Sequence, residues 1–195
     1  MRGVDSHGIR LLPHYVSGVL SGRINPNPTF KFHQTSDSTG TLDADHTFGH
    51  AAGMKAMDRA ISLARLSGSG FVAVRNSSHC GAMAYFGLEA ARNDMIGLAF
   101  THATSKVRSA NSTEAFFGTN PICFTAPMQQ EDPFCFDAAP TTYTSNKINQ
   151  YREKNLPLPP NIAADRNGLE TQNPHCADQL IPIGDYKGYG WAMMV

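Results

Sequence analysis

The sequence predicts an α+β fold with a mostly antiparallel sheet flanked by helices, and three observations carry that expectation. Helical and strand-like segments follow one another without a strict β-α-β rhythm. Short apolar runs of buried-strand type recur at residues 71–74, 95–100, 122–125 and 134–138. No Gly-x-Gly-x-x-Gly follows any of these runs, so a Rossmann dinucleotide-binding unit is not indicated.

The elements can be justified in order. Ile9, Leu11, Leu12, Tyr15, Val16 and Val19 share one face at helical spacing. Pro13 is awkward inside that stretch, so the helix is expected to begin near Leu12 and to end at Gly18, Gly22, Pro26 and Pro28. Residues 29–33 alternate as a half-buried strand does, and residues 38–43 offer a second strand. Residues 49–66 are the clearest helix, rich in Ala, Met and Leu and closed by Ser67-Gly-Ser-Gly70. That Gly-Ser tract follows a helix and precedes a strand, the reverse of the order a phosphate-binding loop needs.

Residues 71–86 are the centre of the chain. An apolar strand is expected at 71–74, a polar turn at 75–78, then His79-Cys80-Gly81 and a helical run over 82–92. A histidine just before a helix lies near its N–H groups, whose partial positive charge disfavours the imidazolium. A neutral imidazole suits general acid–base work. Read locally, a capping or packing role fits the same histidine. Beyond it come a strand at 95–100, a polar irregular stretch at 101–111, a turn at Phe116–Pro121 and strands at 122–125 and 134–138. Residues 140–185 are rich in Pro, Asn and Asp, with one helix expected near 145–154, and a final apolar helix starts at Lys187.

Composition narrows the function classes. The chain has 195 residues with 16 basic and 16 acidic side chains, which argues against a nucleic-acid footprint or a polybasic membrane surface. No apolar run reaches membrane-spanning length, and no signal-peptide pattern opens the chain. Cys80, Cys123, Cys135 and Cys176 form no CxxC pair, so a reducing cytoplasm is the expected compartment.

Four further groups can bear chemistry. His46 and His50 are four apart and can share a metal on a helix. The glutamate of a zincin motif is absent and Gly49 breaks the helix, so no metal site is assigned. His79 and Cys80 are adjacent, and neighbours in a loop point apart, which disfavours a nucleophile–base pair. Lys187 at a helix start can pair with phosphate or carboxylate, or remain solvated. Asp137 at a strand end can hold a ligand hydroxyl or cap a turn.

Five motifs together carry a resemblance. Ser6-His-Gly8, Arg75-Asn-Ser-Ser-His-Cys-Gly81, Gly118-Thr-Asn-Pro121, Asp137-Ala-Ala139 and Lys187-Gly-Tyr-Gly190 occur in this order over essentially the whole chain. In this the chain resembles the malate/L-lactate dehydrogenase family, a non-Rossmann family that includes sulfolactate and ureidoglycolate dehydrogenases. The resemblance implies a sulfolactate dehydrogenase-like fold and hydride transfer between NAD or NADP and a small 2-hydroxy or 2-oxo acid. It implies His79 and His7 as proton-transfer groups, and Ser6, Arg10, Tyr15 and Asn120 at the substrate. It implies Asp137, Ala138, Ala139 and Lys187 at the cofactor, no metal, and a homodimeric full-length form.

The sequence also departs from the family pattern. Cys80 stands where phenylalanine is frequent, Asn111-Ser112 where Gly-Gly is common, Ala103 where a cofactor-binding serine is found, and Asn146 where glycine is usual. The arginine that grips the carboxylate in some members falls at Leu11, with Arg10 one place off. Family chains are nearly twice as long. On that basis the chain is expected to be a truncated piece: residues 1–45 from a substrate and dimer domain, and 46–195 a partial NAD(P)-binding domain. The competing expectation is an inactive, self-associating remnant held by the apolar face at Trp191, Met193, Met194 and Val195.

Overall fold

The computed structural model describes residues 7–109 and 112–195, which form two compact units. The first comprises residues up to Ala99 together with Cys123–Phe136, and the second Phe100–Ile122 together with Asp137–Val195.

The first unit opens with a single 3-10 turn, Ile9–Leu11, that leads into helix α1, Leu12–Leu20. Pro13 sits in the first turn of α1, where its missing N–H has no partner to lose. Strands β1 (Lys31–Gln34) and β2 (Thr39–Thr47) pair antiparallel. Helix α2, Gly49–Ser67, then returns the chain to β3, Phe71–Ser77, which lies parallel to β2. Gly68, at φ 85°, closes α2 by donating its N–H to the Ala64 carbonyl. The three strands therefore contain one β-α-β step, although it lacks the glycine fingerprint of a nucleotide-binding turn.

The polar turn expected at 75–78 belongs largely to β3, which runs on to Ser77. Side-chain pairing extends the strand. Asp43 on β2 receives the Arg75 guanidinium at 3.0 Å and the Asn76 amide at 3.1 Å. The β2–β3 register shifts between Asp43 and Thr47, where Asp45 and His46 take positive φ. The bulge anchors the segment after α1. Asp45 accepts from Asn25 Nδ2 at 2.9 Å and from the Thr29 N–H at 3.0 Å, and Asn25 N–H donates to the His46 carbonyl.

Helix α3, Ala84–Arg92, packs on α2 and on a second sheet, β4 (Gly97–Phe100), β7 (Ile122–Ala126) and β8 (Phe134–Ala138). Met83, Ala84, Phe86 and Cys123 form the core there, with Met54, Met57 and Leu88 against it. Thr125 is fully buried because its hydroxyl donates to the Gly87 carbonyl at 2.6 Å.

The second unit contains β5 (Ser105–Arg108), β6 (Ala115–Gly118), β9 (Ala163–Ala164) and β10 (Gln179–Leu180), in the order β6-β5-β10-β9. β5–β6 and β9–β10 are antiparallel, while β5–β10 is parallel. Helix α4 is Ser145–Glu153, with Thr144 Oγ1 accepting the Lys147 N–H as its N-cap. Helix α5 is Tyr186–Met194. Ile148, Leu158, Ile162, Ala163 and Leu180 make this unit's core.

The fold class is thus α+β without a Rossmann unit, its pairing divided among three small sheets. β5 lies in the stretch expected to be irregular, and β6 overlaps the start of the expected turn. Only Val107 is fully buried along β5, so no alternating apolar pattern marks it. None of the helices among the described residues is long and apolar enough to cross a membrane.

Candidate active site

His79 lies in the loop between β3 and α3. Two glycines hold that loop against the start of α2. A Cβ on Gly49 would fall 2.2 Å from the Ser78 carbonyl oxygen and 2.7 Å from Cys80 Cα, so only glycine lets the backbones approach this closely. Gly81 takes φ 72°, and a Cβ there would lie 2.6 Å from His50 Nε2. Bare backbone at both points brings His50, on the first turn of α2, beside the His79 loop.

Around His79 the first unit assembles a cluster of rings. Tyr15 on α1 places its hydroxyl 2.8 Å from His79 Nδ1. The His7 ring stacks on His79 at 5.8 Å and 15°, and His14 meets it edge-on at 6.0 Å. Tyr15 in turn meets the His50 ring at 5.2 Å. Arg23 Nη2 donates to His14 Nε2 at 3.3 Å.

The electrostatics follow from this packing. His79 is exposed as a residue, while its ring packs against His7 and Tyr15. Burial, then the charges of His7, His14, His50 and Arg23, push its pKa down to about 4. Burial also lowers His50. Tyr15 is raised by burial and then by the nearby Cys80. The physical cause differs from the helix-terminus effect expected from the sequence. α3 begins only at Ala84, and residues 80–83 separate His79 from it. The charged groups acting on His79 all disfavour its protonated form, and Arg23 is the permanent cation among them.

The other residues singled out in the sequence are placed as follows. Ser6 and Asn111 lie outside the described residues. Arg10 is exposed in the 3-10 turn before α1. Asn120 is buried in the second unit, its amide donating to the Ala192 carbonyl at 2.9 Å and accepting the Ala103 N–H at 3.0 Å. Those bonds commit the Asn120 side chain to tying the Gly118–Pro121 turn to α5. Asp137, Ala138 and Ala139 are half-buried at the end of β8. They run into Pro140, whose carbonyl accepts the Ile183 N–H at 2.8 Å. Ile183 in turn accepts the Gly188 N–H, so the 137–139 segment and Lys187 are neighbours within the second unit. His46 is in the β2 bulge and His50 in α2, and among the described residues no three metal-ligating side chains gather.

The donor set in the second unit suits a nicotinamide dinucleotide. Lys187 is exposed in the first turn of α5, two residues after the N-cap residue Asp185. The Asp137 carboxylate suits a ribose hydroxyl. Sequence reasoning missed His14 and Arg23 and considered His50 only as a metal ligand. The adjacency of His14 to Tyr15 was the available signal, whereas nothing local marks Arg23.

Fold and site together give a non-Rossmann α+β framework on which Tyr15, His7, His14 and His50 gather around His79. The chain belongs to the malate/L-lactate dehydrogenase family, whose profile matches residues 1–195. It is 38% identical over 205 residues to a malate dehydrogenase of Pyrococcus abyssi, covering 100% of this chain and 56% of that protein. It is 32% identical over 194 residues to a ureidoglycolate dehydrogenase (NAD(+)) of Escherichia coli K12, with the same coverage of 100% and 56%. The crystal structure of malate dehydrogenase from Entamoeba histolytica superposes with a TM-score of 0.93 at 30% identity, covering 99% of this chain and 58% of that one. The chain spans a little over half the length of these relatives.

Proposed function

We propose that this chain carries the acid–base centre of a nicotinamide-dependent dehydrogenase acting on small 2-hydroxy and 2-oxo acids. The observation that carries the reading is the geometry at His79, with the Tyr15 hydroxyl 2.8 Å from Nδ1, the His7 ring stacked at 5.8 Å and the His14 ring edge-on at 6.0 Å. Such a centre can take a hydroxyl proton, and it attracts a carboxylate.

Oxidation of a hydroxy acid removes a hydride from the carbon and a proton from its hydroxyl. When bound, the nicotinamide supplies the hydride acceptor. His79 takes the proton. Nδ1 faces the Tyr15 hydroxyl at 2.8 Å and the Gly81 N–H at 3.4 Å, so Nε2 is the nitrogen left for the substrate, and it takes the proton in the tautomer in which Nδ1 carries the ring hydrogen and donates it to Tyr15. His7, stacked on His79, lines the same site and shares its proton traffic. The substrate carboxylate adds negative charge to the cluster, raises the His79 pKa from its depressed value and so brings proton exchange toward neutral pH. Ser6 and Arg10 contribute to holding that carboxylate, while Asn120 acts by fixing the Gly118–Pro121 turn. Asp137, Ala138, Ala139 and Lys187 hold NAD or NADP. The same reading makes the full-length form a cytoplasmic homodimer, which sedimentation and fractionation would test.

The test is His79→Ala in the natural full-length polypeptide. Turnover should fall by about 10²–10⁴-fold, the usual contribution of a positioned acid–base group. The thermal shift produced by NADH or NADPH should persist. Normal turnover in the variant would remove His79 from the mechanism.

A further inference from the structure

Arg23 is the permanent cation beside His79, and it belongs to none of the five motifs. After α1 ends at Leu20, Gly22 takes φ 73° and Ile24 N–H donates to the Gly18 carbonyl at 2.9 Å, so the chain doubles back along the helix. Gly18 leaves the room for this. A Cβ there would lie 2.9 Å from Arg23 Nη2 and 2.6 Å from Ile24 Cδ1. Ile24 is thereby buried to 1% exposure, while Arg23 stays at the surface and reaches His14.

His14 links Arg23 to the reaction centre. The ring separation of 6.0 Å, the radius of the His14 ring and the hydrogen bond of 3.3 Å bound Arg23 Nη2 to within roughly 11 Å of the His79 ring centre. A separation up to that limit is bridged by one hydrogen bond at His79, a short carbon chain and a second hydrogen bond at Arg23. A guanidinium has five N–H donors, and His14 takes one of them. It is a fork suited to a carboxylate or a sulfonate.

We propose that Arg23, oriented by His14, binds a second acidic group of the substrate and so selects dianionic 2-hydroxy and 2-oxo acids over monoanionic ones. The proposal rests on His79 as the proton-exchanging group. A monoanion engaged at His79 places its one carboxylate beside the reacting carbon and has no second acidic group for the guanidinium. A dianion one or two carbons longer carries such a group.

The test measures kcat/KM of the natural full-length polypeptide for oxaloacetate, with two carboxylates, and pyruvate, with one. The unmodified enzyme should favour oxaloacetate. Arg23→Gln should lower the oxaloacetate-to-pyruvate ratio by about tenfold or more, through KM rather than kcat. Arg23→Lys should recover part of the ratio, because lysine keeps the charge and loses the fork. A purely structural arginine would reduce both substrates alike. A ratio unchanged by Arg23→Gln, or an unmodified enzyme that favours pyruvate, overturns the proposal and leaves the dehydrogenase reading standing. Failure to turn over any 2-oxo acid overturns both.

Discussion

At the residue scale, a solvated histidine at pH 6.5 is half charged. His79 is not, because part of the ring is withdrawn from water and the groups facing it repel a proton. Its folded pKa of about 4 lies below the ordinary 6.5. Above pH 6.5 the ring is neutral in folded and unfolded chains alike, and its full contribution to stability is present. Between 6.5 and about 4 the unfolded chain takes up a proton that the folded chain refuses, so stability is lost as the pH falls. His50, depressed by burial, acts in the same direction. Thermal melts across that range should show a shallower decline for His79→Gln than for the unmodified chain. Identical slopes would mean that the ring is not withdrawn from protonation.

At the element scale, the position of His79 depends on how the 78–80 loop sits on the first turn of α2. Gly49→Ala places a methyl 2.2 Å from the Ser78 carbonyl oxygen, a backbone atom that cannot swing aside. Overpacking of this kind costs about 1–3 kcal/mol, whereas alanine gains at most about 1 kcal/mol in helix propensity. The variant should therefore be less stable, and the full-length enzyme carrying it should lose turnover as the loop shifts. A melt and an activity measurement on the same preparation check both, and a stabilised, fully active variant would contradict the close approach. Helices α1, α2 and α4 were legible because each has several turns of periodic side chains or a recognisable end signal. β5, β6, β9 and β10 were not. They are two to four residues long and owe their pairing to distant segments, as Leu180 does to Val107.

At the scale of the whole molecule, an even composition hides a local clustering of residue types. The chain is formally neutral, yet His7, His14, His50, His79 and Arg23 gather in the first unit. A net charge says nothing about where its components meet. Cofactor linkage belongs to this scale as well. A nicotinamide dinucleotide that binds only the folded state stabilises it by about 2.7 kcal/mol at one hundred times its Kd. NADH or NADPH at that excess should raise the melting temperature of the full-length polypeptide, and the cofactor giving the larger shift identifies the preferred one. No shift with either would argue against the cofactor roles of Asp137 and Lys187.

Local chemistry in the chain was enough to announce the α+β class, the absence of a Rossmann fingerprint, most helix positions and the ordered motifs that point to His79. Those features depend on neighbours within a few residues, on periodicity, caps and breakers, and can be read in one dimension. The proton-refusing environment of His79 could not be read that way. It is built from positions 7, 14, 15, 23, 50 and 79, which meet only because α1 folds back at Gly22, the β2 bulge anchors the segment after it, and bare backbone at Gly49 and Gly81 allows α2 against the loop. Burial and through-space charge depend on distance in the folded chain, and separation along the sequence carries no record of it.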